Sequence, residues 1–327
     1  PQVINALGGP EFLGDNETFL RNNPFVSCVF RGEGEEVFPQ WLASYESTEQ
    51  WASIHGMCFV DARNKYRDNG KAIVMNFDRL TPPEESEFFN WGKPFVQLET
   101  TRGCFNTCAF CVSGGEKPVR TLSIEQIKQR LDLIRKHGIK DVRLLDRTFN
   151  YNMHRAKALL QLFKEYAPHM RFHLEIHPAL LTEELKQELA TLPTGLLHLE
   201  AGIQSLREEV LTISQRKGGL ENALQGLKYL CSLPNMVTHA DLIAGLPLYT
   251  LQQLFEDVHT LAQYNAGEIQ LELLKLLPGT EMRLRAEELG ISYSPLPPYE
   301  VLQTREISIE QLQTARQLSR LLDNYYN

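Results

Sequence analysis

The chain contains no long uninterrupted run of apolar residues. No segment approaches the roughly 20 apolar residues that a membrane-spanning helix needs, so we expect no membrane partner. Basic residues are also in the minority, since 33 Lys and Arg stand against 41 Asp and Glu, and the formal net charge is −8. This balance disfavours a nucleic-acid partner, because such binding depends on neutralising phosphate charge.

Cysteine is scarce and unevenly placed. The chain has six cysteines among 327 residues, and three of them, Cys104, Cys108 and Cys111, lie within the short segment CFNTCAFC. Because three are committed to one loop, a reducing cytoplasm is the simpler setting than a disulfide-forming compartment. The other three are isolated, and we predict that they behave as small apolar side chains. These three are Cys28, Cys58 and Cys231.

Both ends of the chain fall within patterned sequence. Pro1 is followed almost at once by an apolar run at residues 3–7, and the chain stops at Asn327, directly after an amphipathic segment. We therefore expect that the chain is a fragment of a longer protein, truncated at both ends.

Strand and helix patterns alternate along the chain. Before residue 78 we predict short strands near 3–7, 27–30, 57–60 and 71–75, with helices near 15–22 and 35–45. From residue 95 we predict strands near 95–100, 141–146, 171–176, 196–201, 237–243 and 268–274. Helices are predicted between them near 123–137, 152–166, 182–191, 218–232 and 250–264, and a last one near 308–325.

This alternation predicts an α/β fold with parallel strands and right-handed crossovers. Six strand–helix units indicate a partial, open barrel rather than the full eight-unit barrel. The polar, proline-rich stretch after residue 77 reads as a linker. We expect a small α/β domain over residues 1–77, a linker at 78–94, the partial barrel at 95–290 and a helical extension at 291–327.

One face of the predicted barrel strands is polar. Side chains alternate between the two faces of a strand, and here one face is aliphatic while the other carries carboxylates, imidazoles and amides. Burying so many polar groups without partners would be costly, so we predict a lumen that holds water, a polar cofactor and substrate. The polar side chains are Gln97 and Glu99; His173, Glu175 and His177; His198 and Glu200; His239 and Asp241; Glu268, Gln270 and Glu272.

The cysteine segment has the spacing of an iron–sulfur loop. Three thiolates this close can hold three irons of a four-iron cluster and leave the fourth iron open to a small molecule. Structural zinc usually takes four N or S ligands, and no fourth Cys or His lies nearby in sequence. The C-x3-C-x2-C spacing, with Phe110 directly before the last cysteine, resembles the cluster loop of the radical S-adenosylmethionine (SAM) enzymes.

The resemblance extends over residues 95–280 and implies roles for several side chains. In LEAGIQS, Glu200, Gln204 and Ser205 would contact the ribose and the amino-acid end of SAM. In DLIAGLP, Ile243 and Gly245 would lie near its adenine. Two further residues complete the set. Arg216 would pair with the SAM carboxylate, whose shape a guanidinium matches, and Asp146 would replace the family's Gly-Gly-Glu turn as acceptor for the SAM amino group.

A second resemblance covers the first 80 residues. The segments GGPE (8–11) and RGEGE (31–35) resemble the C-terminal half of the cobalamin-binding domain in cobalamin-dependent radical SAM proteins. The predicted fold is therefore a partial (β/α)6 radical SAM barrel preceded by the C-terminal part of a Rossmann-like cobalamin-binding domain. The preceding half of that domain is absent from the sequence, so cobalamin is expected only in the full-length protein.

The resemblance implies a radical SAM enzyme with a 4Fe–4S cluster and SAM as cofactors. A reduced cluster would cleave SAM to a 5′-deoxyadenosyl radical that takes hydrogen from an unknown small-molecule or peptide substrate. Cobalamin, where bound, would supply a methyl group. A flavodoxin or ferredoxin would donate the electron.

Three alternatives stay open from the residues. Oxidation, cyclisation or methylthiolation could replace methyl transfer. The cluster could belong to an electron-transfer module that binds no SAM. A metal-dependent barrel hydrolase could use a zinc or binuclear site, although this would leave the cysteine loop without a role. Its ligands would be His173, His177, His198, His239 and Asp241.

Overall fold

The computed structural model of the chain describes residues 3–327. These residues form two compact units. One unit runs to Leu80 and also includes Phe110–Val112 and Leu276–Leu284. The other contains Thr81–Ala109, Ser113–Lys275 and Arg285–Asn327. No helix in the described part of the chain is both long enough and apolar enough to cross a membrane.

The strands, numbered along the chain, are short in the first unit and longer in the second. They are β1 (Ala6–Leu7), β2 (Cys28–Phe30), β3 (Met57–Val60), β4 (Tyr66–Asp68), β5 (Phe95–Leu98), β6 (Thr101–Arg102), β7 (Arg120–Thr121), β8 (Asp141–Leu144), β9 (Arg171–Ile176), β10 (Leu197–Gln204), β11 (Val237–Ala244), β12 (Glu268–Leu273), β13 (Ser292–Tyr293) and β14 (Val301–Gln303).

The helices follow the same numbering. They are α1 (Glu17–Asn22), α2 (Val37–Ala43), α3 (Thr48–Trp51), α4 (Ile124–Lys136), α5 (Met153–Lys164), α6 (Glu183–Ala190), α7 (Glu208–Ile213), α8 (Leu220–Ser232), α9 (Leu251–Gln263), α10 (Glu281–Leu284), α11 (Ala286–Leu289) and α12 (Ile309–Tyr325).

The first unit is built on a four-stranded sheet in the order β1-β2-β3-β4. The β1–β2 pair is parallel and the two following pairs are antiparallel. The prediction of a strand at residues 71–75 is wrong, because the fourth strand forms earlier in the chain. After β3 the chain turns at Asp61, whose carboxylate accepts backbone hydrogen bonds from Arg63 and Lys65. The residues that follow this turn pair with β3 as β4. The apolar side chains of Ala72 and Val74 in the 71–75 segment are buried. Its backbone, however, forms only an isolated bridge between Ala72 and Gly32.

The second unit contains a six-stranded, wholly parallel sheet in the order β12-β11-β10-β9-β8-β5. The strands β5 and β12 are its two edges, so the sheet is open, as six rather than eight units predict. All six predicted strands and all six predicted helices of this region are confirmed, with bounds that differ by a few residues. The short helix α7 and the β6–β7 pair were not predicted.

Helix ends in the second unit follow capping chemistry. Ser123 and Thr182, predicted to begin helices, accept backbone hydrogen bonds from Gln126 and Leu185, which satisfies amide groups that the first turn leaves free. At the other end of the unit, α12 packs along β12, and the side chain of Asn327 bonds the backbone of Ile269 on that strand.

The two faces of the parallel sheet differ as predicted. Apolar side chains such as Leu98, Leu174, Leu199 and Leu242 are fully buried, because the helices pack on this face. The opposite face carries polar side chains that are mostly half-buried. The sheet therefore presents one continuous polar surface made from side chains of neighbouring strands.

The segment predicted as a linker, residues 78–94, contains a buried charge. Two 3₁₀ turns, Phe77–Arg79 and Pro83–Glu85, lie at its start. The carboxylate of Glu84 accepts hydrogen bonds at 2.7 and 3.0 Å from the guanidinium of Arg130 on α4. Both side chains are almost inaccessible to solvent, so this part of the segment is fixed within the second unit.

Candidate functional site

Asp146 binds the backbone of the two residues, Thr100 and Thr101, that lie between β5 and the cysteine loop. The Asp146 carboxylate accepts hydrogen bonds from the backbone N–H groups of Thr100 and Thr101, at 2.7 and 2.9 Å, and from the Thr100 hydroxyl. Burial raises the pKa of Asp146, while these hydrogen bonds oppose the shift. Since Asp146 follows β8 by two residues, it ties the carboxyl ends of two adjacent strands together.

This placement changes the role expected for Asp146. The side chain is only 1% exposed, and both carboxylate oxygens are engaged by Thr100 and Thr101. We had expected it to accept the amino group of SAM. The structure instead gives it a positioning role, because an acceptor for a ligand must be reachable and a buried, occupied carboxylate is not.

The cysteine loop is bonded to the segment that follows α7. Asn106, which is 3% exposed, accepts a backbone hydrogen bond from Lys217 at 3.1 Å. The backbone N–H of Ala109 donates to the carbonyl of Ser214 at 2.9 Å. These bonds fix the cysteine loop at Asn106 and Ala109 against the chain around Arg216.

The three loop cysteines fit an iron–sulfur cluster by their chemistry. All six cysteines of the chain are free thiols, so the loop thiols are not consumed by disulfides. Cys108 is buried, and Cys104 and Cys111 are half-buried. Cys104 and Cys108 belong to the second unit, whereas Phe110 and Cys111 are assigned to the first. Three thiolates satisfy three irons and leave one iron without a protein ligand.

Arg216 lies beside the second loop cysteine. Its guanidinium donates to the carbonyl oxygen of Gly202 on β10, and one of its nitrogens is 3.6 Å from Sγ of Cys108. Gly202 leaves the necessary space: a Cβ there would lie 2.5 Å from the Gln204 amide nitrogen and 3.7 Å from both Arg216 and Asp241. The residues predicted to orient SAM at this point, Arg216 and Gln204, are therefore brought together over one glycine.

Glu200 lies in a cluster of coupled carboxyl groups. Its Oε2 is 2.8 Å from Nε2 of His173, and this hydrogen bond lowers the pKa of Glu200. Burial and the nearby Glu200 charge raise the pKa of Asp241. The same two causes raise the pKa of Glu175 to about 7. The cluster therefore retains protons that free carboxylates would lose at neutral pH.

The raised pKa of Glu175 predicts a pH-dependent stability. As pH rises from about 4.5 to about 7, the unfolded chain loses this proton before the folded chain does, so folded stability falls over that window. We expect the stability gain of Glu175→Gln over wild type to be small at pH 5 and larger at pH 8. The gain is on the order of 1 kcal/mol, reduced because solvent screens the partly exposed side chain.

Urea unfolding at the two pH values measures this difference. The exposed Glu209→Gln serves as the control and should not change the gap between pH 5 and pH 8. An equal effect of Glu175→Gln at both pH values would contradict the shifted pKa.

The other predicted SAM contacts divide between the two faces of the sheet. Gln204 and Ile243 are half-buried on the polar face, in step with Glu200 and Asp241. Ser205 is fully buried on the opposite face, where its hydroxyl lies 3.4 Å from the carboxylate of Asp257. The expected contact of Ser205 with SAM is therefore not supported by its position.

The backbone conformation at residue 245 favours glycine. Its φ of +89° is a conformation that favours glycine. A Cβ at this position would meet side chains of Leu274, Val301 and Leu312 at ordinary contact distances of 3.4 to 3.6 Å. The side where a Cβ would stand therefore faces apolar side chains, and the expected position of Gly245 near adenine stays a prediction.

His177 and Asn106 form a contact that the sequence reasoning missed. His177 is 4% exposed, its Nε2 lies 3.4 Å from the Asn106 amide, and its ring packs edge-on against Phe105. Burial lowers its pKa to about 3. His177 thus joins the cysteine loop and not the other histidines of the polar face. The one signal in the sequence for this contact is that Asn106 lies between Cys104 and Cys108.

Comparison with protein families identifies the class to which this fold and loop belong. The model of the radical SAM superfamily matches residues 98–261, and the chain belongs to that superfamily. It is therefore an enzyme of a class that works with a 4Fe–4S cluster and SAM. A second model, described as a protein of unknown function (DUF4080), matches residues 287–327.

Individual relatives are similar over different lengths. The uncharacterized methyltransferase PH0819 of Pyrococcus horikoshii is 28% identical over 162 residues, covering 47% of this chain and 35% of that protein. The cobalamin-dependent radical SAM methyltransferase TokK of Streptomyces tokunonensis is 23% identical over 322 residues, covering 91% and 47%. The chain thus spans about half or less of the length of these two proteins.

A solved structure shares the fold over almost the whole chain. It is the radical SAM methyltransferase TsrM from Kitasatospora setae with cobalamin and a 4Fe–4S cluster bound. The TM-score is 0.72 at 17% identity, and the match covers 96% of this chain and 66% of that one. At this identity the likeness concerns the fold, and it confirms the predicted α/β architecture with its open parallel sheet.

Proposed function

We propose that the full-length protein is a cobalamin-dependent radical SAM methyltransferase. The observation that carries the proposal is the contact of Arg216 with Cys108 and Gly202, which joins the cysteine loop to the motif predicted to hold SAM. The names of PH0819 and TokK, and the fold shared with TsrM, support methyl transfer as the reaction.

The residues of this chain have distinct tasks in such an enzyme. Cys104, Cys108 and Cys111 would hold three irons, and Arg216 would pair with the SAM carboxylate. Asp146 and the bonds around Asn106 keep the loop in place. When bound, the cluster and SAM supply a 5′-deoxyadenosyl radical that abstracts hydrogen, and cobalamin supplies a methyl group.

The polar face offers a surface for the substrate. Its coupled carboxyls and imidazoles suit a polar small molecule or a peptide, and the acidic balance of the chain disfavours a nucleic acid. A flavodoxin or ferredoxin is the proposed electron donor. A reducing compartment such as the cytoplasm fits six free thiols.

Cluster assembly and SAM cleavage test the proposal directly. The chain is reconstituted anaerobically with iron and sulfide and reduced, and its electron paramagnetic resonance spectrum is recorded with and without SAM. We expect a four-iron signal that changes with SAM, together with 5′-deoxyadenosine in the products. Replacing the three loop cysteines by Ala should abolish both, because no thiolates remain to bind iron.

Cys231→Ala is the matched control. Burial raises the pKa of Cys231 to about 11, so this thiol stays protonated and its loss should leave the cluster intact. A cluster signal indifferent to SAM would contradict binding of SAM at the open iron and favour electron transfer by the cluster. Failure of the full-length protein to retain cobalamin through gel filtration, measured by its visible absorbance, would overturn the methyl-transfer proposal alone.

A further inference from the structure

Two imidazoles and one carboxylate from three adjacent strands converge on the polar face. His198 lies on β10, His239 on β11 and Glu268 on β12, and each offers an atom able to bind a metal within 4.8 Å of the others. His239 and Glu268 are direct neighbours in the parallel register. The sheet pairing therefore brings these three side chains together, although they are far apart in sequence.

Two distances within this group are close to those of ligands around a common ion, and all three ligand atoms lie within 4.8 Å of one another. His198 Nε2 is 3.6 Å from one oxygen of Glu268, and His239 Nδ1 is 3.8 Å from the other. Both exceed the length of a good hydrogen bond. A tetrahedral zinc ion with bonds of about 2.0–2.1 Å holds its ligand atoms roughly 3.4 Å apart. The side chains are thus spaced for an ion between them.

His198 Nε2 has no hydrogen-bond partner in the described chain, whereas Nε2 of His239 lies 3.1 Å from Oδ1 of Asp241. Both nitrogens are buried. His239 is only 8% exposed, and buried polar atoms normally have partners. An ion held by His198 Nε2 and His239 Nδ1 would satisfy the first of these groups.

Asp241 supplies the outer partner that a metal-bound imidazole usually has. Its Oδ1 lies 3.1 Å from Nε2 of His239, at the distance of a hydrogen bond but without its angle, and this oxygen is also unpartnered in the described chain. A carboxylate behind a ligating histidine fixes the ring and its tautomer. His173 is excluded from the ligand set, because Glu200 already engages it.

We propose that His198, His239 and Glu268 bind one divalent transition-metal ion, with zinc as the test ion, at a site separate from the cysteine loop. Two imidazoles and a carboxylate form a donor set that zinc and non-haem iron(II) accept. Three protein ligands leave coordination positions open. Of the three ligands, His198 lines a cavity of about 580 Å³ together with His173 and Arg143, so a nitrogen or oxygen atom of a substrate could approach the open position from the side of His198.

Metal analysis of the reconstituted chain tests this site independently of catalysis. The chain carrying its cluster is equilibrated with zinc, passed through gel filtration and analysed for iron and zinc. We expect one zinc per chain in addition to the cluster iron. Glu268→Gln keeps the shape of the side chain and should raise the zinc Kd at least tenfold, and His198→Asn should do the same.

Three controls keep the result decisive. His259→Ala removes an exposed histidine on α9 and should retain the zinc. The triple alanine variant of the loop cysteines should also retain it, and cobalt(II) bound in that variant should show visible bands without thiolate charge transfer. Circular dichroism verifies that each variant is folded. If His198→Asn is unfolded, the zinc content of Glu268→Gln alone tests the proposal.

Three results would overturn the proposal. The first is a folded wild-type chain that retains no zinc, and the second is equal retention of zinc by Glu268→Gln. The third is zinc that disappears with the three cysteines, which would place it in the cysteine loop. None of these results bears on cluster assembly or SAM cleavage, so this site and the proposed function fail separately.

Discussion

Replacing Asp146 by alanine is expected to lower the free energy of unfolding by about 3–5 kcal/mol. The change removes three hydrogen bonds to a carboxylate and leaves the buried N–H groups of Thr100 and Thr101 without acceptors. Bonds to charged groups contribute roughly 1.5–3 kcal/mol each and are not additive. Because Thr101 lies three residues before Cys104, we also expect less iron per chain after reconstitution.

Urea denaturation and iron analysis measure the two effects. Asp146→Asn keeps one acceptor oxygen and the shape of the side chain, so its losses should be smaller. Asp141→Ala, at the first residue of β8, removes an exposed ion pair with Arg171 and should change little, because surface pairs usually contribute little. If Asp146→Ala behaves like Asp141→Ala, Asp146 does not hold the loop.

Replacing Glu84 by alanine should cost a similar amount, about 3–5 kcal/mol. Its side chain is fully buried and that of Arg130 is 8% exposed, so removal of the carboxylate leaves a buried cation without compensation. The remaining contact of Arg130, with the carbonyl of Glu99 at 3.4 Å, is too long to replace two charge-assisted bonds.

A double replacement distinguishes two causes of the lost stability, namely the unpaired buried charge and the lost packing of the side chain. Glu84→Leu with Arg130→Met removes both charges, and such pairs can be exchanged for apolar residues with little loss. We expect most of the lost stability to return in urea denaturation. Glu183→Ala breaks an exposed pair with Lys186 and serves as the neutral control. A double variant as unstable as Glu84→Ala would show that packing, and not the unpaired charge, dominates.

These two predictions concern residues whose partners lie 46 positions away in each case. Period-two alternation reports which face of a strand a side chain occupies, and it predicted the strands and the polar face. It does not report which side chain on another element will meet it. For this reason we predicted that Asp146 contacts SAM and that Glu84 lies in a linker. Both residues instead bond other elements within the second unit.

Ser205 shows where the alternation of β10 ends. The strand finishes at Gln204, whose φ of +70° is not extended, and Ser205 then meets Asp257. The motif resemblance grouped Glu200, Gln204 and Ser205 as SAM contacts, although Ser205 lies beyond the end of the strand. The strand wrongly expected at residues 71–75 has another cause, since its apolar residues are buried without continuous strand pairing.

The in-register pairing of the polar strands sets a length scale for whatever occupies the face. His173 pairs with His198, Glu175 with Glu200, and Gly202 with Asp241, so the polar groups form three successive rows. Rows two residues apart are separated by about 7 Å along a strand. A molecule reaching from the arginine at Gly202 to the imidazole of His198 must therefore be about 13 Å long, the span of four extended residues.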